Sequence, residues 1–262
     1  MGHRFVEGVI AVALAVLWVS AAYAQDAMRG LDMSSPDMTT AEMTRAQVEA
    51  ALAAAVGHGA DLTGKRLSGL DLSGLDLSGA NLRAARLNQA NLSHANLGGA
   101  TLDQAWALGV DLTQANLVKA SLFATQLKGA RLDGANLTGA RVTADLTGAR
   151  LVGARFEDAD CSADEKNQSM GLMRATFKSA DLARVDFSQA NLARADLRFA
   201  KLSGANLAGA SLREADASGA DLRGALLQGA DTSGLDVDSA RIDSASVPFL
   251  AKAINLGRAY KE

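Results

Sequence analysis

A five-residue period runs through most of this chain from Ala60 onward. Each unit has a small or apolar residue, then Asp or Asn, then Leu, then two variable residues rich in Ser, Thr and Gly, as in Ala60–Gly64 (ADLTG). Residues 60–139 contain sixteen such units, and fifteen have Leu at the centre, the exception being Ala107. A fixed short period over this length predicts a repeat architecture.

The period of five excludes a long α-helix and a flat strand, because their periods of 3.6 and 2.0 cannot keep the Leu set on one buried side. A chain that turns after each unit can do so, with the central Leu and the Ala two residues before it pointing inward. Hydrophobic residues are 48% of the chain but aromatic residues only 4%, which predicts a thin interior of Leu and Ala.

These tandem A(D/N)LxG units resemble the pentapeptide-repeat family over roughly residues 60–249. The resemblance implies an all-β fold, a right-handed quadrilateral β-helix in which four units form one coil of 20 residues. It also implies a protein usually without catalytic residues. We also predict a short N-terminal α-helical cap and a C-terminal helix at the two ends of this fold.

Two irregularities interrupt the repeat. The unit 140–143 lacks one residue, and the eleven residues 164–174 contain no repeat. We therefore predict a first solenoid segment over 60–163, a bulged loop over 164–174 and a second segment over 175–249, forming one continuous solenoid. Two separately stacked segments are the alternative. Larger central residues near the break should fill a widened core, and the lone cysteine should be buried there: Phe156, Phe177, Phe187 and Cys161.

A solenoid exposes a strand edge at each end and needs caps. We predict a flexible lead-in over 25–38 and a capping helix over 39–57, begun by the capping-box pattern Thr39-x-x-Glu42. A C-terminal cap should cover 250–262, with a short helix after Pro248. Residues 31–38 also follow the repeat register, so a degenerate opening coil is an alternative for that stretch.

The first 24 residues have the pattern of a cleavable signal peptide: Arg4 in a short polar head, an apolar run from Gly8, and Ala22-Tyr23-Ala24 before Gln25. The pattern predicts an exported chain, periplasmic or secreted, without stable membrane insertion after cleavage. An anchor that is not cleaved is the alternative. The formal net charge of −3 argues against a nucleic-acid partner.

The chain offers few residues for chemistry, and we predict no catalytic, cofactor or metal site. Outside the signal peptide the histidines are His58 and His94, and the sequence indicates no Ser/Asp pair near either of them. Three aspartates spaced by 20 should stack as like charges, which requires a cation or compensating hydrogen bonds: Asp196, Asp216 and Asp236.

Outward apolar residues and the loop predict a surface for a protein or cell-envelope partner. The candidate contacts are Trp106, Leu108, Phe123, Met170, Leu172 and Met173. The leading functional hypothesis is an exported non-enzymatic scaffold, present as a monomer or an end-to-end dimer. The alternatives are inhibition of gyrase by DNA mimicry, as in the gyrase-protecting members of the family it resembles, and an undetected hydrolase.

Overall fold

The computed structural model describes residues 32–55, 59–164 and 173–262. The predicted signal peptide, Gln25 to Leu31, His58, and Met170 and Leu172 of the loop lie outside these residues. Within them, the repeat forms a β-helical solenoid, in which residues 20 positions apart pair as parallel β-bridges through most of the stack. No helix among the described residues has both the length and the apolar character to cross a membrane.

The bridges fall into four rows, which we number by their first members: row 1 from Asp61, row 2 from Arg66, row 3 from Asp71 and row 4 from Asp76. Neighbouring coils exchange backbone hydrogen bonds along each row. The Leu82 N–H donates to a carbonyl of the next coil, and the Ala80 carbonyl accepts from an N–H of that coil. Each side of a coil is therefore held at two points.

The interior consists of the central residue of each unit, buried in every described unit from residue 62 to residue 242, together with the buried Ala two residues before it in most units, as predicted. Ala107, the one central residue of the first sixteen that is not Leu, is buried with the others. Burial of a Leu side chain stabilises a fold by about 1.5–3 kcal/mol, and four central residues per coil therefore offset much of the entropy lost on ordering the chain.

The Asp or Asn before the central residue shapes each turn. Its side-chain oxygen accepts a hydrogen bond from the N–H two residues later, at 3.1 Å from Thr63 to Asp61 and 3.2 Å from Arg83 to Asn81. This is the turn-forming bond for which Asp and Asn are favoured. In Asp61 the Thr63 hydroxyl, the largest influence, and the Thr63 N–H hold the carboxyl pKa below its usual range.

Except for Thr143 and Ala163 beside the break, the residue that ends each described unit has a positive φ, for example 66° at Gly64, which suits the glycines common there. Other residues also occupy this position, among them His94 at 59° and Phe199 at 58°. For L-residues this conformation costs roughly 1–2 kcal/mol each.

The stack is continuous through the break. Gln126 pairs with Asp145 across the shortened unit, and Asp145 pairs with Thr176 across the inserted residues. All four rows continue on both sides, so the chain forms one stack rather than two segments.

The three phenylalanines predicted to fill the core at the break are fully buried and in mutual contact. Ring centroids are 4.9 Å apart for Phe156 and Phe187, 5.6 Å for Phe177 and Phe187, and 6.0 Å for Phe156 and Phe177. Cys161 is buried beside this part of the stack, and burial raises the pKa of its thiol.

The N-terminal segment contains two helices, α1 (Pro36–Thr39) and α2 (Arg45–Ala54). The expected capping box at Thr39 and Glu42 is wrong, because Thr39 ends α1. The box is formed by Thr44 and Gln47, each accepting from the backbone N–H of the other. The opening coil proposed for 31–38 is wrong as well, since α1 occupies its second unit.

The N-terminal segment contacts the polar backbone of the first coil. Arg45 donates to the carbonyls of Asp71 and Ser73, both at 3.0 Å, and the Glu42 N–H donates to the Arg66 carbonyl at 2.9 Å. Val48 of α2 is fully buried against the core.

The C-terminal segment departs from the predicted helix after Pro248. Two 3-10 helices, Ser244–Leu250 and Leu256–Arg258, are followed by strand β2 (Tyr260–Lys261), which pairs in parallel with strand β1 (Arg241–Ile242). The bridge from Asp236 to Ile254 continues row 2, so these residues form a last, irregular coil that begins before residue 250.

Candidate interaction surface at the break in the repeat

Both irregularities lie at the turn between row 1 and row 2, in consecutive coils. In the lower of these two coils the turn from Arg141 to Asp145 is one residue short. In the coil directly above it, the turn from Asp160 to Thr176 carries the inserted residues. Thr143, in the short turn, is buried. The missing residue and the insertion therefore modify one place on the surface.

The described ends of the inserted segment are closely tied. The Asp164 N–H donates to the Met173 carbonyl at 2.8 Å, which closes the base of the loop. Arg141 lies 3.4 Å from the Asp164 carboxylate, and Arg174 lies 3.6 Å from the carboxylate of Asp196. Ion pairs to the coils below and above thus hold both ends.

Phe123 lies on the same part of the surface, one coil below the short turn. The Arg141 guanidinium lies over its ring, 4.6 Å from the centroid, within the range of a cation–π interaction. Arg141 therefore joins Phe123 to the loop base, and we call the group Phe123, Arg141, Asp164 and Met173 the break corner. Phe123 and Met173, both predicted contacts, are half-buried there.

Trp106, Leu108 and Phe123 were all expected to face solvent, and each is half-buried. The Leu108 N–H donates to the Asn88 side chain at 2.9 Å, and the same side chain donates to the Met38 carbonyl of α1 at 3.0 Å. The short helix therefore lies beside this part of row 2. The four candidates that lie among the described residues, Trp106, Leu108, Phe123 and Met173, are each half-buried.

Asp196, above the loop, is a nearly buried carboxylate, with its side chain 4% exposed. Arg198 binds it through two nitrogens, at 2.8 and 2.5 Å. Burial acts to raise the pKa of Asp196, but the Arg198 hydrogen bonds and charge, with the Arg174 charge, outweigh it and hold the pKa below its usual range.

The aspartate column stacks as expected, Asp196 with Asp216 and Asp216 with Asp236. Hydrogen bonds compensate the repulsion. Asp216 accepts from the N–H and hydroxyl of Ser218, and Asp236 accepts from Asn255 at 2.8 Å. Among residues 32–55, 59–164 and 173–262 no group of three His, Cys, Asp or Glu could hold a metal ion.

Among the exposed large apolar side chains outside the candidate set, two lie on the regular repeat. Phe199, 58% exposed, projects from the turn after row 2, and Leu226, 49% exposed, lies on row 4. Leu226 occupies the position of its unit that is usually Asp or Asn. This departure from the repeat could have identified it from the sequence as an exposed apolar residue. His94 is exposed at a turn.

A family model described as pentapeptide repeats matches the chain in eight copies, which span residues 58–143 and 172–241. The matched residues are more than half of the chain. The stretch between them contains the break, where the solenoid itself continues. No curated protein matches the sequence.

Solved structures with similar chains are also repeat proteins. HetL, a pentapeptide repeat protein involved in heterocyst differentiation regulation from the cyanobacterium Nostoc sp. strain PCC 7120, is 29% identical; the match covers 75% of this chain and 98% of HetL, with a TM-score of 0.35. QnrB1, a plasmid-mediated fluoroquinolone resistance protein, is 16% identical over 73% of this chain and 95% of its own, with a TM-score of 0.53. The solenoid is a right-handed β-helix, the form of pentapeptide-repeat proteins such as QnrB1.

Proposed function

Because this chain belongs to the pentapeptide-repeat family, we propose that it is an exported, non-enzymatic scaffold that binds a protein or cell-envelope component at the break corner. The observation that carries the proposal is the linkage of Phe123 to the loop base through Arg141. A rigid stack presents this irregular segment in its middle, and irregular segments on rigid scaffolds commonly carry binding.

The non-enzymatic character rests on the positions of the groups capable of chemistry. Cys161 is buried with a raised thiol pKa, which opposes formation of the reactive thiolate. His94 lies at an exposed turn. A purified sample that turns over ester, peptide or glycoside substrates, with activity lost in His94→Ala, would contradict this part of the proposal.

The finer architecture belongs to the same proposal. Four rows of bridges per coil support a four-sided cross-section. Arg45 and Val48 at one end, and the last irregular coil at the other, support the assignment of both terminal segments as caps. The particle would then be a rod, either a monomer or an end-to-end dimer.

Export is supported by the signal-peptide pattern of residues 1–24. Cell fractionation followed by N-terminal sequencing tests it. We expect a periplasmic or secreted protein beginning at Gln25, and an intact protein in the cytosol would refute export.

Photo-crosslinking from defined positions tests the binding surface. A photoreactive amino acid at Met173 should give a crosslinked product with envelope components, and one at Leu226 serves as the control, because Leu226 is exposed and apolar but lies on row 4. Equal products from both positions, or none from Met173, would contradict the assignment of the break corner.

Gyrase inhibition by DNA mimicry is not favoured by the surface. A DNA mimic needs a continuous acidic face, whereas row 3 pairs Arg131 directly with Arg150, and row 2 begins with Arg66 and Arg86. The likeness to QnrB1 concerns the fold. We expect no effect of the protein on gyrase supercoiling.

A further inference from the structure

Row 2 begins with two arginines that stack as neighbours, Arg66 and Arg86. Like charges directly opposite each other on paired strands destabilise the pairing. Arg66 is neutralised, because Asp37 lies 2.6 Å and Glu42 lies 3.5 Å from its guanidinium. Arg86 is in no ion pair among the described residues, and its side chain makes one hydrogen bond, to the Gly64 carbonyl at 3.4 Å. Its Nε is buried without a hydrogen-bond partner.

Arg86 is an exception among the arginines. Of those that are half-buried in the part of the chain that the structure describes, it alone is in no ion pair. The others each have a carboxylate: Arg45, Arg66, Arg174, Arg194, Arg198 and Arg223. In row 3, Arg131 and Arg150 also stack as neighbours. There each arginine has its own aspartate, with Asp111 at 3.6 Å and Asp133 at 2.8 Å. The charge of Arg86 is therefore left for an anion from outside the solenoid.

The N-terminal segment shows how row 2 receives a peptide. Asp37 of α1 binds Arg66, and the next residue, Met38, is only 1% exposed. The Met38 carbonyl accepts from the Asn88 side chain at 3.0 Å. The first coils of row 2 are thus covered by a segment with three features: a carboxylate on an arginine, an adjacent buried apolar side chain, and a backbone carbonyl bound by an amide.

The same kinds of group continue up the row from Arg86. Trp106 pairs with Arg86 in row 2, and Leu108 lies two residues further along the chain. Both side chains are half-buried, so each keeps apolar surface for a partner to cover. Gln126, the next residue of the row, supplies a half-buried amide. We call Arg86, Trp106, Leu108 and Gln126 the row 2 site. Trp and Arg are enriched among the residues that contribute most of the binding energy at protein interfaces.

We propose that the row 2 site binds an extended acidic segment of a partner protein, with a carboxylate on Arg86 and the following apolar side chain on Trp106 and Leu108. A hydrogen bond between a guanidinium and a carboxylate is stronger than one between neutral groups. A neutral segment would cover Arg86 and leave its charge unpaired, which is costly, so the site selects acidic partners. The site is separate from the break corner, and the inference goes beyond the proposed function.

Selection from a displayed library of random peptides on the full chain tests this inference. We expect the selected peptides to share Asp or Glu followed by an apolar residue. A fluorescein-labelled synthetic peptide with that consensus is then titrated by fluorescence anisotropy. Arg86→Gln and Trp106→Ala should each weaken its binding about 10-fold or more. Replacing the acidic residue of the peptide by its amide should weaken binding to the wild type by a similar factor, but should have no further effect on Arg86→Gln.

Matched variants separate binding from folding. Arg131→Gln removes an arginine that already has a carboxylate and should leave the affinity for the peptide unchanged. Arg86→Lys keeps the charge and should bind the peptide more tightly than Arg86→Gln does. Because Arg86 lies over Arg66 without a counter-charge, Arg86→Gln should not lower the melting temperature. If Trp106→Ala fails to fold, Trp106→Phe keeps an aromatic side chain and should retain part of the affinity.

Four results would overturn the proposal. They are selected peptides without an acidic consensus, equal affinity of the wild type and Arg86→Gln, an equal loss in Arg131→Gln, and a lower melting temperature of Arg86→Gln that accompanies the loss of binding. A complex with single-stranded DNA that depends on Arg86 in a gel shift would also overturn it, because the site would then belong to a nucleic acid.

Discussion

Asp145 and Thr176 pair as neighbours in row 2, although the short turn precedes one and the inserted segment precedes the other. The row therefore regains its register within one coil of each irregularity. Because each coil contacts only the coils beside it, a local change of length need not spread through the solenoid.

Deletion of residues 164–174 should leave the fold intact. It joins Ala163 directly to Ala175 and restores a five-residue unit, with Ala163 at a turn position that Ala84 and Ala124 already occupy with positive φ. We expect circular dichroism like that of the full chain and a melting temperature within about 2–4 °C, since about 1 kcal/mol is at stake in the lost ion pairs. Loss of cooperative unfolding would show that the segment is needed for folding.

The phenylalanine cluster should contribute strongly to stability. Phe187→Ala leaves a cavity beside Phe156 and Phe177 and should lower the free energy of unfolding by about 3–5 kcal/mol in urea denaturation. Phe187→Leu, closer in volume, should cost less. The exposed Phe199→Ala is the control and should change the free energy of unfolding by less than about 1 kcal/mol. Similar losses at both sites would contradict the burial of the cluster.

Removal of the Asp196 charge should destabilise the coil above the loop. Asp196→Asn leaves Arg198 and Arg174 without their carboxylate, and we expect a loss of about 1–3 kcal/mol in the free energy of unfolding, because the arginines keep partial access to water. Asp216→Asn, with a more exposed side chain, should cost less. A metal site in this column would give a different result. An added cation would then raise the free energy of unfolding of the wild type but would not bring either variant to the wild-type value.

Phe199 and Gly219 should be energetically coupled. A Cβ added at Gly219 would lie 2.6 Å from the Phe199 ring, and Gly219 itself has a φ of 67°. Gly219→Ala should therefore destabilise the fold by about 1–3 kcal/mol, and Phe199→Gly, which relieves a positive φ, should not destabilise it. In the double variant the clash disappears and only the φ cost of Ala remains. Additive effects in this cycle would contradict the stacking of the ring on Gly219.

Acid should weaken the solenoid through its turns. Hydrogen bonds from Thr63 and Ser233, with the hydroxyl as the larger influence, lower the pKa of Asp61 and Asp231. A carboxyl whose pKa is lower in the folded state stabilises it above its unfolded pKa of about 3.9, and this contribution is lost as the pH falls through the folded value. Asp61→Asn with Asp231→Asn should therefore lose less stability between pH 7 and pH 3 than the wild type. A steeper loss in the variant would refute the sign of the effect.

Much of the solenoid could be predicted because its rules are local. The period placed every central residue inside, including Ala107 and the phenylalanines, and the Asp/Asn position corresponds to a bond spanning two residues. The summed lengths of the two irregularities suggested that they replace whole sides of the solenoid, which is wrong, because each is absorbed within its own turn between row 1 and row 2.

The features that were not predicted depend on distant or competing contacts. Thr39 and Thr44 both begin a capping-box pattern, and only the packing of α2 on the first coil distinguishes them. Nothing in the unit of Leu108 shows that Asn88, which accepts from its N–H, also donates to the Met38 carbonyl of α1. The last coil lacks the repeat, so its pairing with Arg241 and Ile242 had no signal in the period.

The turn between rows 1 and 2 has one more consequence, for how such a protein can evolve. It has lost one residue in one coil and gained eleven in the next, yet the rows beside it remain paired. Insertions in the gene at this point can therefore lengthen the turn without disturbing the inherited register on either side. The same turn is a natural position at which to graft a foreign epitope or recognition sequence onto the rod.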